Sequence, residues 1–340
     1  MAAPLIHQTD LFRPHNDPDD HFDLAVVYAL ALQGRIDLQG IVIDRPPPKF
    51  DGAPDVGAVA QLNHITGLTV PAVVGSAQPM KSPHDTQPSA SPSDKAAVRF
   101  ILDVLRQSRQ RVVITVVGSC RDVALAGRTD PALFARKCAG IYINAGTGSP
   151  DPKLASTLEY NVTLDPLAYR ARFDLPCPIF WLPCFEDYEG EWRVRQYGTC
   201  WRFKQEEVLQ KLSPRMQNFF LYMFERTRDT DWLSVLYRPI ETARLQHFSQ
   251  QDRYMWSVAS FLHVAGLTVT TTGELVPIKA AGDTAVFTFQ PIRISCDENA
   301  VTTWQTDSRR TNRYMFMVRD LEHYQSAITR ALRTLLTTLP

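Results

Sequence analysis

Apolar residues in the first half of the chain fall into two alternating kinds of run. Leu5–Thr9, Ile36–Ile43, Pro71–Val74, Arg111–Val117, Ala139–Asn144 and Pro178–Leu182 are short and largely continuous, and predict strands buried on both faces. Between them, Phe22–Gln33, Val56–Thr66, Asp94–Gln107, Asp122–Arg128 and Pro166–Phe173 carry apolar residues at helical spacing. Strands alternating with helices imply right-handed crossovers, hence a doubly wound, mostly parallel α/β sheet with helices on both faces. The C-terminal half reads as more helical. Pro214–Arg226, Asp252–His263 and Asp320–Leu336 predict helices, and Ala285–Ile294 with Arg313–Val318 predicts an antiparallel pair. A single domain over residues 1–340 accommodates these elements. The polar stretch Glu186–Glu207 reads either as a mobile flap offering Trp192, Tyr197 and Trp201 to a ligand or as an ordinary surface excursion.

In sheets of this class ligands bind beyond the carboxyl ends of the strands. Polar residues follow several of the apolar runs: Asp10 after the first, Asp44 after the second, Gly118-Ser119 after RVVITVV and Asn144 after the next. Thirty-six Lys and Arg balance 36 Asp and Glu, so no global field attracts nucleic acid or anionic lipid. No apolar stretch approaches the roughly 20 residues that cross a bilayer. The opening MAAPLIHQTDLF has no basic segment followed by an apolar one, and the six cysteines show no CxxC or zinc-like spacing. A cytoplasmic chain with reduced thiols and a small, weakly charged partner is expected, and a homo-oligomer is compatible with it.

The chemistry concentrates in NDPDDHFDLA, where Asp17, Asp19, Asp20 and Asp23 follow Asp10. Acids ahead of a helix often serve as caps and dipole partners, which accounts for one or two of them. The mutual repulsion of five within so short a stretch is relieved by a hard cation, and calcium takes 6–8 oxygen ligands without His or Cys. Both readings stand on local sequence alone.

Several segments taken in order resemble the inosine–uridine-preferring nucleoside hydrolases. HQTD with DPDDHFDLAVVYALAL resembles the family's opening strand, paired Asp and apolar helix; LQGIVI its second strand; VPAVVGSAQPM its following turn. VVITVVGSCRDVALAGRTDPALFARKCAGIYINAGTG, LEYNVTLDPLA, SQQDRYMWSVASFL and the YMFMVRDLEHYQSAITRAL tail resemble later stations. The resemblance implies a calcium-dependent N-ribohydrolase acting on a nucleoside or related riboside in purine or pyrimidine salvage. It implies Asp10 as catalytic base and calcium ligand, Asp20 and Asp252 as calcium ligands, and the carbonyl of Arg121 as a further one. Asp19, Glu159 and Asn161 would hold ribose hydroxyls, with Asn144 beside the sugar. Gln251 would stand where many members carry the histidine that protonates the leaving base, and glutamine is no acid.

The chain departs from the pattern between Asp10 and Asp19, where LFRPHNDP is several residues longer and lacks glycine. Either the loop bulges and leaves Asp10 in place, or Asp17 takes its role. A catalytically silent ribose- or nucleoside-binding protein on the same fold is the alternative reading. A magnesium phosphotransferase is disfavoured, since no GxxxxGK[ST] loop is present.

Overall fold

The computed structural model describes residues 2–340 apart from 15–17, 49, 189, 227–228, 308 and 310. Its centre is a nine-stranded sheet. In chain order the strands are β1 (Ala3–Thr9), β2 (Ile36–Ile43), β3 (Ala72–Val74), β4 (Val112–Val116), β5 (Cys138–Asn144) and β6 (Ile179–Leu182). A separate pair, β7 (Trp201–Lys204) and β8 (Asp252–Met255), precedes β9 (Phe287–Cys296), β10 (Thr302–Thr306) and β11 (Arg313–Val318). Spatial order in the large sheet is β10-β9-β11-β6-β5-β4-β1-β2-β3. The run from β11 to β3 is parallel, while β9 pairs antiparallel with both β10 and β11. The order reverses between β1 and β4, which opens a crevice at their carboxyl ends.

Six helices and one short turn of helix position the site: α1 (Asp19–Leu32), α2 (Val56–Thr66), α3 (Ala96–Gln107), α4 (Arg121–Thr129), α5 (Tyr160–Leu164), α6 (Val258–Val264) and α7 (Tyr324–Leu336). Helix α1 is apolar on every side because it is covered on every side: Asp20 through Leu30 are all buried, and it contacts β2, α2, α6 and α7. Asp55 caps α2 by accepting from the Ala58 amide at 3.2 Å, and Gly67 ends it at φ +71°, a left-handed closure suited to glycine. One apolar layer joins α1, α2 and the late helices on one face of the sheet, and a second joins α3, α4 and β4–β6 on the other.

The structure corrects the sequence reading at Asp252–His263, which is not one helix. Asp252–Met255 is strand β8, paired antiparallel with β7, and the helix starts only at Val258. Burial along β8 rises from exposed Asp252 to fully buried Met255, and the pairing with β7 runs from Asp252 opposite Lys204 to Met255 opposite Trp201. Within 186–207, the last part forms β7, and Trp201 there is sealed in the core at 0% exposure.

Candidate active site

Asp10 is the first residue beyond β1 and is almost wholly buried. Asp19 and Asp20 occupy the first turn of α1, where the helix N-terminus favours negative charge. Thr9 donates its hydroxyl to Asp20 Oδ1 at 2.8 Å, tying the end of β1 to the start of α1. At the start of the lengthened connection, Phe12–Arg13 pairs antiparallel with Ala53–Pro54, and the Asp55 amide donates to Leu11 O at 2.9 Å. Asp10 therefore keeps its place at the crevice, and Asp17 lies outside the described residues. His21 packs against Phe219 with Nε2 3.4 Å from Asp55, and neither it nor Asp23 lines the crevice.

The opposite wall comes from the middle of the chain. Glu159 caps α5, accepting from the amides of Asn161 at 2.9 Å and Gly146 at 2.8 Å. Asn161 Nδ2 donates to Asn144 O at 3.0 Å and to Val117 O at 3.3 Å, stitching α5 to the ends of β5 and β4. Asn144 is 1% exposed. Its Nδ2 reaches the Trp256 carbonyl at 3.3 Å, whereas its Oδ1 has no hydrogen-bond partner among the described residues.

These walls enclose a cavity of about 230 Å³ lined by Asp10, Asp19, Asp20, Val117, Asn144, Glu159, Tyr160, Asn161, Cys184, Phe185, Trp256 and Ser257. That is smaller than the ~300–1,000 Å³ of drug-sized sites and suits a sugar. A second cavity of about 190 Å³ shares Phe185 with it and continues beneath residues 186–200, where Trp192 faces it.

Three positions named from the sequence, Asp252, Gln251 and Arg121, lie outside this cavity lining. Asp252 stands on β8 and pairs with Lys204 at 3.0 Å, both side chains well exposed. Gln251 is exposed, its carbonyl accepting from the Gln205 amide at 3.0 Å. Arg121 is the first residue of α4, whose ladder begins one residue earlier with the Ala124 amide donating to Cys120 O at 2.9 Å. Its guanidinium is buried against Asp165 at 2.9 Å and the carbonyls of Ser76 and Leu164. None of the three lines the cavity. The late segment reaches it instead through Trp256 and Ser257, at the start of α6. The signal was present in MWSVASFL, where a serine of N-cap type immediately precedes the mostly apolar VASFL. Phe185 carried no comparable signal.

Behind Asp10 lies a buried polar layer. Asp44, the residue after β2, accepts from Ser119 N at 2.6 Å and Gln8 Nε2 at 2.8 Å. Burial first, then the charge of Asp122, pushes its carboxyl up to about 8 against those hydrogen bonds. Gly118 permits this layering: a Cβ there would lie 2.6 Å from Asp44 Oδ2 and 2.9 Å from Asp10 Oδ1. Gly118→Ala should destabilise the fold by about 1–3 kcal/mol and displace Asp10. Thermal melts together with residual turnover measure both effects, and a variant that matches the parent in both would remove Gly118 from this role.

Burial raises the Glu159 carboxyl from its ordinary 4.5 to about 7, although the amides of Asn161 and Gly146 oppose the shift. Between pH 4.5 and about 7 the unfolded chain has given up this proton while the folded chain still holds it. Stability should therefore fall with rising pH across that window and level off above it, by on the order of 3 kcal/mol. Glu159→Gln has no proton to lose, so its chelator-treated melts should fall less between pH 5 and 8 than those of the parent. Equal slopes would contradict the assignment.

The donors around Asp10 and Asp20 are all oxygens, the kind calcium prefers. Among the described residues they do not make a closed cage, and the late helix brings a serine hydroxyl to the cavity and not a carboxylate. Among the described residues, no group of three or more His, Cys, Asp or Glu side chains is gathered closely enough to hold a metal ion. A cation is thus matched in donor type on one wall only.

Residues 15–306 match the sequence profile of a family described as inosine-uridine preferring nucleoside hydrolase. No curated protein matches the chain by sequence. Among solved structures, the inosine-uridine preferring nucleoside hydrolase of Bacillus anthracis is 14% identical, with 98% of this chain and 99% of that one covered at a TM-score of 0.51. The purine-preferring ribonucleoside hydrolase of Gardnerella vaginalis is also 14% identical, with the same coverage and a TM-score of 0.52. The type III effector protein XopQ, solved with adenosine diphosphate ribose, is 13% identical over 99% of this chain and 95% of that one, at a TM-score of 0.51. The doubly wound sheet is the fold these proteins share.

Proposed function

Because the chain belongs to the inosine–uridine-preferring nucleoside hydrolases, a family of N-ribohydrolase enzymes, we propose that it hydrolyses the N-glycosidic bond of a ribonucleoside or related riboside in the cavity at Asp10. The observation that carries the reading is convergence. Acids from the start of the chain, Asn144, Glu159 and Asn161 from its middle, and Trp256 with Ser257 from its late half meet in one sugar-sized space.

Asp10 takes the proton of the attacking water. Positive charge grows on the ribose ring as the bond to the base breaks, and Asp19 and Asp20 set negative charge beside it. Asn161 uses its N–H groups on two carbonyls, which leaves Oδ1 to accept from a sugar hydroxyl. Asp10 and Asp20 are the residues that would hold calcium, which would fix the sugar diol and acidify a water. No helix among the described residues is long and apolar enough to cross a membrane, and all six cysteines are free. Both facts are compatible with the cytoplasmic location that a salvage enzyme would have.

With so few carboxylates, calcium should bind in the ~10⁻⁴–10⁻³ M range. At 10 mM it should stabilise the fold by about 1.4 kcal/mol for a millimolar site. Melts in calcium and in chelator should differ, and Asp20→Ala should erase the difference. Indistinguishable melts of the parent would end the calcium assignment. The hydrolysis itself is tested by following free ribose from inosine, uridine and p-nitrophenyl riboside. Release from any of them, abolished by Asp10→Asn, supports the reading; release from none removes it.

One observation favours a second reading, a silent riboside-binding protein. The late segment supplies Trp256 and Ser257, neither of which is a proton donor for a leaving base or a charged ligand for a cation. Ribose protection of the fold without ribose release identifies that case.

A further inference from the structure

The chemistry of the leaving group remains open, and the cavity wall narrows it. This step rests on the ribohydrolase reading above. We propose that the preferred substrate is a cationic riboside, in which the glycosidic nitrogen belongs to a quaternised aromatic ring such as a pyridinium.

Three features of the cavity lead there. Its lining includes the aspartates Asp10, Asp19 and Asp20, Glu159 with its raised carboxyl and, among the described residues, no lysine or arginine. Calcium on Asp10 and Asp20 would offset only part of that charge. The adjoining cavity adds no net positive charge, because its Arg193 and Arg195 face Glu186, Asp187 and Glu191. Arg195 there is already paired with Asp187 at 2.9 Å.

The mouth between the cavities is aromatic. Phe185 meets Trp256 edge-on with ring centroids 5.8 Å apart and Tyr188 at 4.7 Å. Aromatic faces attract cations, and they do so more strongly when water is excluded.

Among the described lining residues none is a histidine or lysine, and Tyr160 offers a phenol, a class of group that ordinarily keeps its proton near neutrality. An indole N–H and a serine hydroxyl donate hydrogen bonds but do not give up protons near neutrality. Glu159, whose carboxyl burial raises to about 7, turns both oxygens to the backbone amides of Asn161 and Gly146. A cationic riboside needs no donor. Water oxygen bonds to C1′, the C1′–N bond breaks with its electron pair passing to the ring nitrogen, and the base departs neutral. The proton lost is the water's, and Asp10 takes it.

Two buried atoms suggest a substituent. Trp256 Nε1 and Asn144 Oδ1 have no hydrogen-bond partner among the described residues. They lie on adjoining residues of the wall, since Asn144 Nδ2 contacts the Trp256 carbonyl at 3.3 Å. A ring carboxamide offers a carbonyl acceptor and an N–H₂ donor, the two kinds of partner these atoms lack.

The test compares kcat/KM for 3-carbamoylpyridinium riboside, p-nitrophenyl riboside and inosine. The pyridinium should exceed the nitrophenyl compound about 10-fold and inosine by at least about 10²-fold. Its advantage over the nitrophenyl riboside should shrink as salt rises, because salt screens attraction of a cation and leaves a neutral substrate alone. A nitrophenyl riboside cleaved as fast as the pyridinium, or a ratio indifferent to salt, would overturn the cation preference while leaving ribohydrolase activity standing. Turnover of none of the three would overturn both.

Discussion

Asp10→Asn is expected to lower kcat by about 10²–10⁴-fold while shifting KM by no more than a few-fold. The carboxamide has nearly the same shape as the carboxylate but cannot take the water's proton. Asp10 is packed behind Gly118, whose missing side chain gives it room, so an isosteric change should leave the fold intact; a melt and a circular dichroism spectrum check that. Single-turnover rates with p-nitrophenyl riboside isolate the chemical step from leaving-group protonation. A variant with the parent's kcat would move the base elsewhere, and Asp17 would then be the carboxylate to replace next.

Trp256→His is expected to raise kcat/KM for inosine by at least about 10-fold, because a positioned acid supplies roughly 10²–10⁴-fold and the new imidazole realises part of it. An imidazole titrates near pH 6.5, so the gain should fade on the alkaline side of the pH profile. Gln251→His should change nothing. That side chain is exposed, outside the cavity lining, and near His247. The pair of variants separates the two placements of the late segment. A gain at Gln251 with none at Trp256 would reverse the correction made above.

Much of this arrangement could be read from the residues. β2, α2 and β11 have the predicted bounds because continuous apolar runs and a capped helix leave little choice of register. Asp10, Asp19, Asp20, Asn144, Glu159 and Asn161 each follow a strand or open a helix, and the sheet brings those ends together. The late segment was misread because an acid beside a glutamine was weighted above the apolar pattern. Tyr254 and Met255 belong to a strand, and the helix waits for VASFL. The side chain of Arg121 was not legible at all: its sequence position says nothing of the buried pairing with Asp165. Phe185 could not have been found, since it reaches the cavity from a loop with no periodicity to read.

The central claim is that ribose binds between Asp10 and the Glu159–Asn161 wall. A crystal structure of the protein with ribose and calcium tests it most directly. The account predicts sugar density in the cavity, its hydroxyls within hydrogen-bonding distance of Asp19, Glu159 or Asn161, and an ion on Asp10 and Asp20. Ribose seated only beneath residues 186–200, or a cavity at Asp10 filled by water alone at saturating ribose, would contradict it.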